Sequence, residues 1–449
     1  MTIKSVQKQE VTFKRYLLLV VPLTLSTITV PLLGAVDTAL VGHLPNPSFI
    51  AGVTISTVIF NTLYWLLGFL RISTTSFAAQ ALDNQAQLSS AFVRPLFIAL
   101  ILGGLFILFR SMIFESFIQI SSPSPEVYLY AKQYYEILIF GAPFTLINYV
   151  IIGFLMGKSH VKLVLYLQLF INLANICLSV ILVWYFHLNV KGVAIATLLA
   201  QIGTTVIGLI LINRMRVIKL TLDELKSYLS PSSLREIILI NGDLLIRTIC
   251  LLIVTNLFIS HSSDLGVEVL AANSILFQVQ YLMAYVYDGF ANAISILSGQ
   301  SKGLKNSKLY NKVAGYAIIS GIGVSLALTL IWLGFDSNIL RLFTNQDSIL
   351  TLALTYSNWL AFFPISIAMG LMIYGLFCGI NYVSSIRNSM IISVIIWLLS
   401  SNILIPYYGN NGLWLSFILF CFGRSLLILW LSVSYKFIGL NKNGDVSSR

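Results

Sequence analysis

The sequence predicts an all-α polytopic membrane protein with twelve transmembrane helices in two parallel six-helix lobes. Three observations predict it. Of 449 residues, 57% are hydrophobic and only 10% charged, whereas a soluble domain carries roughly 25% charged residues to cover its surface. The apolar residues run in about twelve blocks that reach the roughly 20 residues a bilayer-crossing helix needs. Glycine, proline and polar landmarks also repeat along the chain at one spacing. The same figures exclude a soluble enzyme, a disordered scaffold and a nucleic-acid-binding domain.

The expected spans are 16–42, 49–80, 88–112, 127–156, 163–186, 192–213, 236–260, 267–298, 310–335, 350–380, 387–405 and 411–435. Strand-type alternation is absent, so helices and not a barrel are expected. The first run is too long for the apolar region of a cleaved signal, and no small-residue cleavage site follows it. All four cysteines lie within apolar stretches, which excludes a secreted disulfide framework.

The net charge of +11 reports orientation. With the N-terminus cytoplasmic, 19 Lys and Arg fall on the inside and three (Arg110, Lys191, Arg341) outside. Cytoplasmic enrichment of basic residues orients membrane helices. Both termini are therefore expected inside, in a multi-pass protein of a bacterial inner membrane.

Shifting the chain by 220 to 222 residues lays Ala51 on Ala271 and Gln80 on Gln300. It also brings Pro143, Gly153 and Gly157 beside Pro364, Gly375 and Gly379, and Gly192 onto Gly412. Shared spacing and order point to duplication. The domains are then 1–214, a cytoplasmic linker 215–233 and 234–449. Each half has an even number of spans, so the repeat is parallel, which suits alternating access around a central cleft. The Gly153–Gly157 and Gly375–Gly379 pairs are read as close-packing sites.

Ionisable groups inside spans cost about 2.5–3.5 kcal/mol on insertion scales and are functional candidates by default. Glu136 follows Lys132 by four residues, and Arg247 follows Asp243 likewise. Both are expected to form structural ion pairs along one helix face. Asp288, Asn292 and Ser295 make a polar stripe on span eight that suits either a water-filled cavity or helix packing. Asp37 has no basic residue within two turns along its helix, and it follows Pro22 and Pro31. A helix proline removes one hydrogen bond and permits a bend. A carboxylate beyond such a point either takes up a proton and alters helix packing or reaches the interface and is hydrated. Asn172, Asn175 and Ser179 share a face of span five, and Ser179 and Thr197 sit at a depth similar to that of Asp37. No His/Cys cluster, phosphate-binding loop or nucleophile–base pair is present, so an enzyme is not expected.

Val36-Asp37-Thr38-Ala39-Leu40-Val41-Gly42-His43-Leu44 resembles the span-one signature of the multidrug and toxic compound extrusion (MATE) transporters. More narrowly it resembles the branch of that family named for DNA-damage-inducible protein F. Asn148-Tyr149-Val150-Ile151-Ile152-Gly153, Asn172-Leu173-Ala174-Asn175 and Gly192-Val193-Ala194-Ile195-Ala196-Thr197 are similar to that branch too. So are Leu270-Ala271-Ala272-Asn273 and Asp288-Gly289-Phe290-Ala291. The resemblance covers the whole chain. It implies an antiporter that exports amphipathic, often cationic, compounds in exchange for protons or sodium ions. Asp37 would accept the coupling ion, supported by Asn175, Thr197 and Asn148. Two carboxylates of the pattern are missing: Ser179 stands where the family commonly has aspartate, and no glutamate lies near Ser295. The expected coupling ion is therefore the proton and not sodium, with no cofactor or metal. The expected partners are amphipathic small molecules and the lipid bilayer, with no nucleic acid, and the protein is expected to be monomeric. The alternative is a lipid or lipid-linked sugar flippase, which needs a cationic cavity.

Overall fold

Lipid offers the backbone no hydrogen-bond partner, so long apolar runs satisfy their peptide groups internally as helices. The computed structural model describes the backbone of residues 11–42, 47–218, 221–344 and 346–434, and the side chains of these residues except 30–42, 47, 222 and 432–434. No strand occurs among the described residues. Ten helical stretches among them are long and apolar enough to cross a membrane.

The first half comprises α1 (Phe13–Gly42), α2 (Pro47–Leu66), α3 (Phe69–Ala81), α4 (Gln85–Leu108), α5 (Arg110–Ser121), α6 (Pro125–Leu138), α7 (Ala142–Gly157), α8 (Val161–Val180) and α9 (Asn189–Arg214). Local chemistry sets several starts. Asn84 caps α4 by accepting from the Gln87 amide, and Ser124 caps α6 ahead of Pro125, where the missing proline N–H costs nothing. Within the expected linker lies a short helix, α10 (Leu222–Tyr228), started by a Thr221–Glu224 capping box. The second half comprises α11 (Pro231–Asp264), α12 (Val267–Gly303), α13 (Ser307–Arg341), α14 (Asp347–Tyr356), α15 (Asn358–Gly379) and α16 (Ser384–Ser434). The expected spans 387–405 and 411–435 both fall within α16, which is broken at Gly409 (φ 55°) just after Pro406.

The chain forms two compact units. One is built on Ile28–Asn241; the other combines Gln9–Thr27 with Gly242–Arg449. Helix α1 thus contributes its first half to the second unit and its remainder to the first. In the second unit, Tyr16 stacks on Tyr316 with centroids 5.7 Å apart. Tyr316 Oη donates to the Val11 carbonyl at 2.9 Å, and Thr27 Oγ1 donates to the Tyr285 carbonyl at 3.0 Å. The core of the first unit joins α2, α5, α6 and α9 through Phe60, Phe114, Tyr135 and Val193, all buried. Tyr135 Oη donates to the Arg110 carbonyl at 2.9 Å.

The internal repeat is visible in contacts. In the first unit a Cβ on Gly153 would lie 2.5 Å from the Arg71 carbonyl oxygen, and one on Gly157 2.5 Å from that of Thr75. In the second unit a Cβ on Gly375 would meet the Ala291 carbonyl, and one on Gly379 would meet that of Ser295. Glycine is required at all four because backbones touch. Left-handed residues repeat as well: Ser159 (φ 60°) corresponds to Asn381 (φ 61°), and His187 (φ 53°) to Gly409 (φ 55°). The break inside α16 therefore matches the turn between α8 and α9.

Candidate functional site

The polar face of α8 is where the first unit departs from ordinary apolar packing. Asn175 Nδ2 donates to Thr197 Oγ1 on α9 at 2.8 Å, and Thr197 Oγ1 in turn donates to the Val193 carbonyl at 3.0 Å. One turn before Asn175, Asn172 Nδ2 donates to the Thr29 carbonyl of α1 at 3.3 Å. One turn after it lies Ser179, fully buried. Asn172 Oδ1, Asn175 Oδ1 and Ser179 Oγ are buried with no hydrogen-bond partner among the described residues. Desolvated polar atoms are costly unless matched, so three on one helix face set it apart from ordinary packing. Directly after Val180 the helix widens into a π-turn, Ile181–Tyr185, a feature frequent at functional sites.

The residues expected to support the site do not all gather here. Asn148 belongs to a separate cluster between α7 and α9, where Gln201 Oε1 is buried without a partner among the described residues while the amide of Asn148 is hydrogen-bonded. Its Nδ2 donates to the Gln201 carbonyl at 3.2 Å, and its Oδ1 accepts from Thr205 Oγ1 at 3.1 Å. Gln201 and Thr205 were not singled out by the sequence, although both are polar residues in a span. Pro22 lies in the part of α1 that belongs to the second unit. The side chains of Asp37 and Pro31 lie outside the described residues.

One expected ion pair is corrected. Asp243 does not pair with Arg247; its Oδ1 accepts from Arg387 Nη1 on α16 at 2.6 Å. Arg247 turns instead onto the face of Tyr374 on α15, with its guanidinium carbon 4.2 Å from the ring centroid. Four-residue spacing brings two side chains to one helix face, but the guanidinium of a facing helix gives a shorter, better directed bond. Lys132 and Glu136 do approach along α6, at 4.0 Å and largely exposed, a weak surface pair.

The stripe on α12 divides. Ser295 is buried, its carbonyl facing Gly379 and accepting from Ser298 Oγ at 3.3 Å, so it serves helix packing. Asn292 is half-buried. Asp288 lies within electrostatic reach of Arg424 and Tyr374. Arg424 was not singled out by the sequence, although a charged group within a span is the signal that finds it; Tyr374, an uncharged side chain, carried no such signal.

A doubled, membrane-spanning helical fold with a buried polar face on one helix defines a transporter of the two-lobe type. The MatE family model matches this chain twice, over residues 22–181 and 244–405. The chain therefore belongs to the MATE family, whose members are transporters and not enzymes. Across 417 residues it is 33% identical to DNA damage-inducible protein F of Escherichia coli strain K12, covering 92% of this chain and 90% of that one. Its fold matches a MATE transporter solved in a bent conformation, with a TM-score of 0.88 and 20% identity over 99% of this chain and 100% of that one. It also matches an outward-facing multidrug resistance MATE transporter of the MOP superfamily, with a TM-score of 0.87 and 21% identity over 98% and 100% of the chains.

Proposed function

We propose that this protein is a secondary-active exporter of amphipathic organic compounds, driven by protons, with Asp37 as the coupling carboxylate. The observation that supports this most directly is the Asn175–Thr197 bond flanked by the unmatched oxygens of Asn172, Asn175 and Ser179. Asn172 is tied to α1 at Thr29. Helices rise about 1.5 Å per residue, and α1 and α8, both odd-numbered spans, run in the same sense across the membrane. A step of seven residues up both helices then brings Ser179 level with positions 36–37. An acid there would meet polar oxygens in place of lipid, and proton uptake would change what α8 and α1 offer each other. A ligand shifts a conformational equilibrium only through differential affinity for its states, and one titrating carboxylate supplies that difference.

The reading includes twelve spans. The ten apolar stretches, helix α1 and the break at Gly409 support that number. It also places both termini and the 215–233 segment in the cytoplasm of a bacterial cell, and the protein as a monomer in the inner membrane.

Sodium is the second reading for the coupling ion, favoured by the same three oxygens, since hard cations are held by several oxygen ligands. Reconstitution into proteoliposomes with a panel of fluorescent organic cations and anions, under an imposed pH gradient, tests the function. Gradient-dependent movement of at least one compound is expected. Movement of none, with the protein correctly inserted, would overturn the proposal.

A further inference from the structure

Between α11 and α12 the second unit holds a cavity of about 120 Å³ lined by the rings of Phe258, Phe277 and Tyr281, with the buried Asn273 at its inner end and the exposed Ser274 and Gln278 at its mouth. We propose that this cavity is a subsite for one aromatic ring of an exported organic compound, whose polar part stays at the mouth.

An apolar cavity of roughly 150 Å³ takes up benzene, whereas pockets for drug-sized ligands run to about 300–1,000 Å³. The space here suits a single ring. The walls suit it too. Phe258 and Phe277 stand with ring centroids 4.4 Å apart, and Tyr281 meets Phe277 edge to face at 5.8 Å. A further ring gains from such neighbours beyond the area it buries. Among the described residues no Lys, Arg, Asp or Glu lines the cavity, so it reads a ring and not a charge.

The inner end rejects polar groups. Asn273 Nδ2 donates to Ser262 Oγ at 2.8 Å and to Asn410 Oδ1 at 2.7 Å. Its Oδ1 accepts from Asn410 Nδ2 at 3.0 Å and from Trp414 Nε1 at 2.9 Å. Both donors and both lone pairs of this amide are taken, so a polar group pushed against it would go unmatched. The same bonds tie α11, α12 and α16 together and fix the walls before a ligand arrives.

The mouth decides where the ring comes from. Gln278 lies about 16 Å along α12, which begins at Val267, at about 1.5 Å per residue. That is well inside a hydrocarbon core of about 30 Å. An exposed amide facing lipid at that depth would lack partners, so the mouth opens on water and the occupant is a dissolved compound, not an acyl chain. The first unit has no counterpart. At the spacing that lays Ala51 on Ala271, Phe277 falls on Thr57 and Tyr281 on Asn61, so the repeated fold does not require these rings. That the ring belongs to an export substrate rests on the exporter reading; that the cavity takes a ring does not.

The test uses the full-length protein in phosphatidylcholine nanodiscs, empty discs being subtracted, and three trimethylammonium probes of equal charge: benzyl, cyclohexylmethyl and 1-naphthylmethyl. Dissociation constants come from saturation-transfer NMR titrations. The benzyl probe is expected to bind about threefold to tenfold tighter than the cyclohexylmethyl probe, the scale of one aromatic pair, and no more weakly than the naphthylmethyl probe. Phe277→Ala makes room for a second ring and should turn the order round, so that naphthylmethyl binds tightest. Ser274→Phe, at the exposed mouth, should fill the space and abolish the benzyl preference. Equal binding of benzyl and cyclohexylmethyl probes by the wild type would overturn the site, and so would an unchanged order in either variant that inserts. Should Phe277→Ala fail to insert, the wild-type order and Ser274→Phe decide the matter. Loss of ring preference alongside gradient-driven export overturns this site alone; ring binding without any driven export overturns the exporter reading alone.

Discussion

Lys302 Nζ, at the end of α12, donates to the carbonyl of Ile380 just beyond α15 at 2.6 Å. The first unit holds the mirror arrangement: Lys158, just beyond α7, donates to the carbonyl of Leu82 just beyond α3 at 2.8 Å. In the 220–222 repeat Leu82 corresponds to Lys302 and Lys158 to Ile380. Donor and acceptor have changed places while the bond has stayed. Each lysine answers carbonyls that a helix C-terminus leaves without an intrahelical partner, which explains why the bond persists and the residues do not.

Replacing either lysine by methionine keeps the stem and removes the donor. A hydrogen bond from a charged group contributes about 1.5–3 kcal/mol. Lys158→Met and Lys302→Met are each expected to lower the thermal midpoint of the detergent-solubilised protein by a few degrees. The loss should be larger for the double variant, because the two bonds lie in different units and are expected to add. Unchanged midpoints would show that water replaces both bonds.

The close backbone contacts at Gly157 and Gly379 make a sharper demand. Any Cβ there meets carbonyl oxygen, so a helix has to move, and overpacking of this kind typically costs about 1–3 kcal/mol. Gly157→Val and Gly379→Val should reduce monodisperse yield and melting temperature strongly. Gly104→Val is the control, since nothing lies within 4 Å of a Cβ at that position. Size-exclusion profiles of the three variants, expressed side by side, check this.

The Asp243–Arg387 pair is partly buried, with 18% and 33% of the side chains exposed. Removing one partner leaves the other charge uncompensated. Arg387→Gln should destabilise by about 1–3 kcal/mol, and adding Asp243→Asn should recover part of the loss. Arg247→Gln should show no coupling to Asp243→Asn in a double-mutant cycle. Coupling of Asp243 to Arg247 equal to its coupling to Arg387 would restore the pairing along one helix.

These residues also show which parts of the molecule were legible in the sequence. Span order, duplication and the glycine contacts were legible because they rest on apolar length and on a residue type with no substitute at a backbone contact. Asn175 and Thr197 were brought together by the family resemblance, whereas the depth argument had paired Ser179 with Thr197; the Asn175–Thr197 bond joins neighbouring helices linked by a short turn. Asp243 misled because its partner stands 144 residues away, and spacing along one helix says nothing about a facing helix. Asn148 was placed beside Asn175 and Thr197 by the family resemblance, which does not show that its hydrogen-bond partners are Gln201 and Thr205 on α9.

Asp37→Asn should abolish coupled export while leaving the protein folded and inserted. The amide matches the shape of the protonated acid but cannot cycle between charged and neutral forms. Ser179→Ala, which removes one unmatched oxygen, should slow transport far less if protons are the coupling ion. Transport at the wild-type rate by the Asn variant, at matched expression, would remove Asp37 from the mechanism.

The driving ion is the last point that experiment can fix. A proton needs one carboxylate, whereas sodium needs several oxygens, of which an anionic one binds most strongly. Ser179 stands where the family pattern commonly has a second acid, so the polar face of α8 offers only neutral oxygens: Asn172 Oδ1, Asn175 Oδ1 and Ser179 Oγ. On the proposal that Asp37 is the coupling carboxylate, the proton is the expected ion. In proteoliposomes with internal and external pH clamped equal and the membrane potential shunted, a sodium gradient should drive little transport. A pH gradient of the same size without sodium should drive it fully. Equal rates under the two gradients would overturn the proton assignment and make the three neutral oxygens sodium ligands. Ser179→Ala would then be expected to weaken sodium dependence specifically, leaving binding of the organic substrate intact.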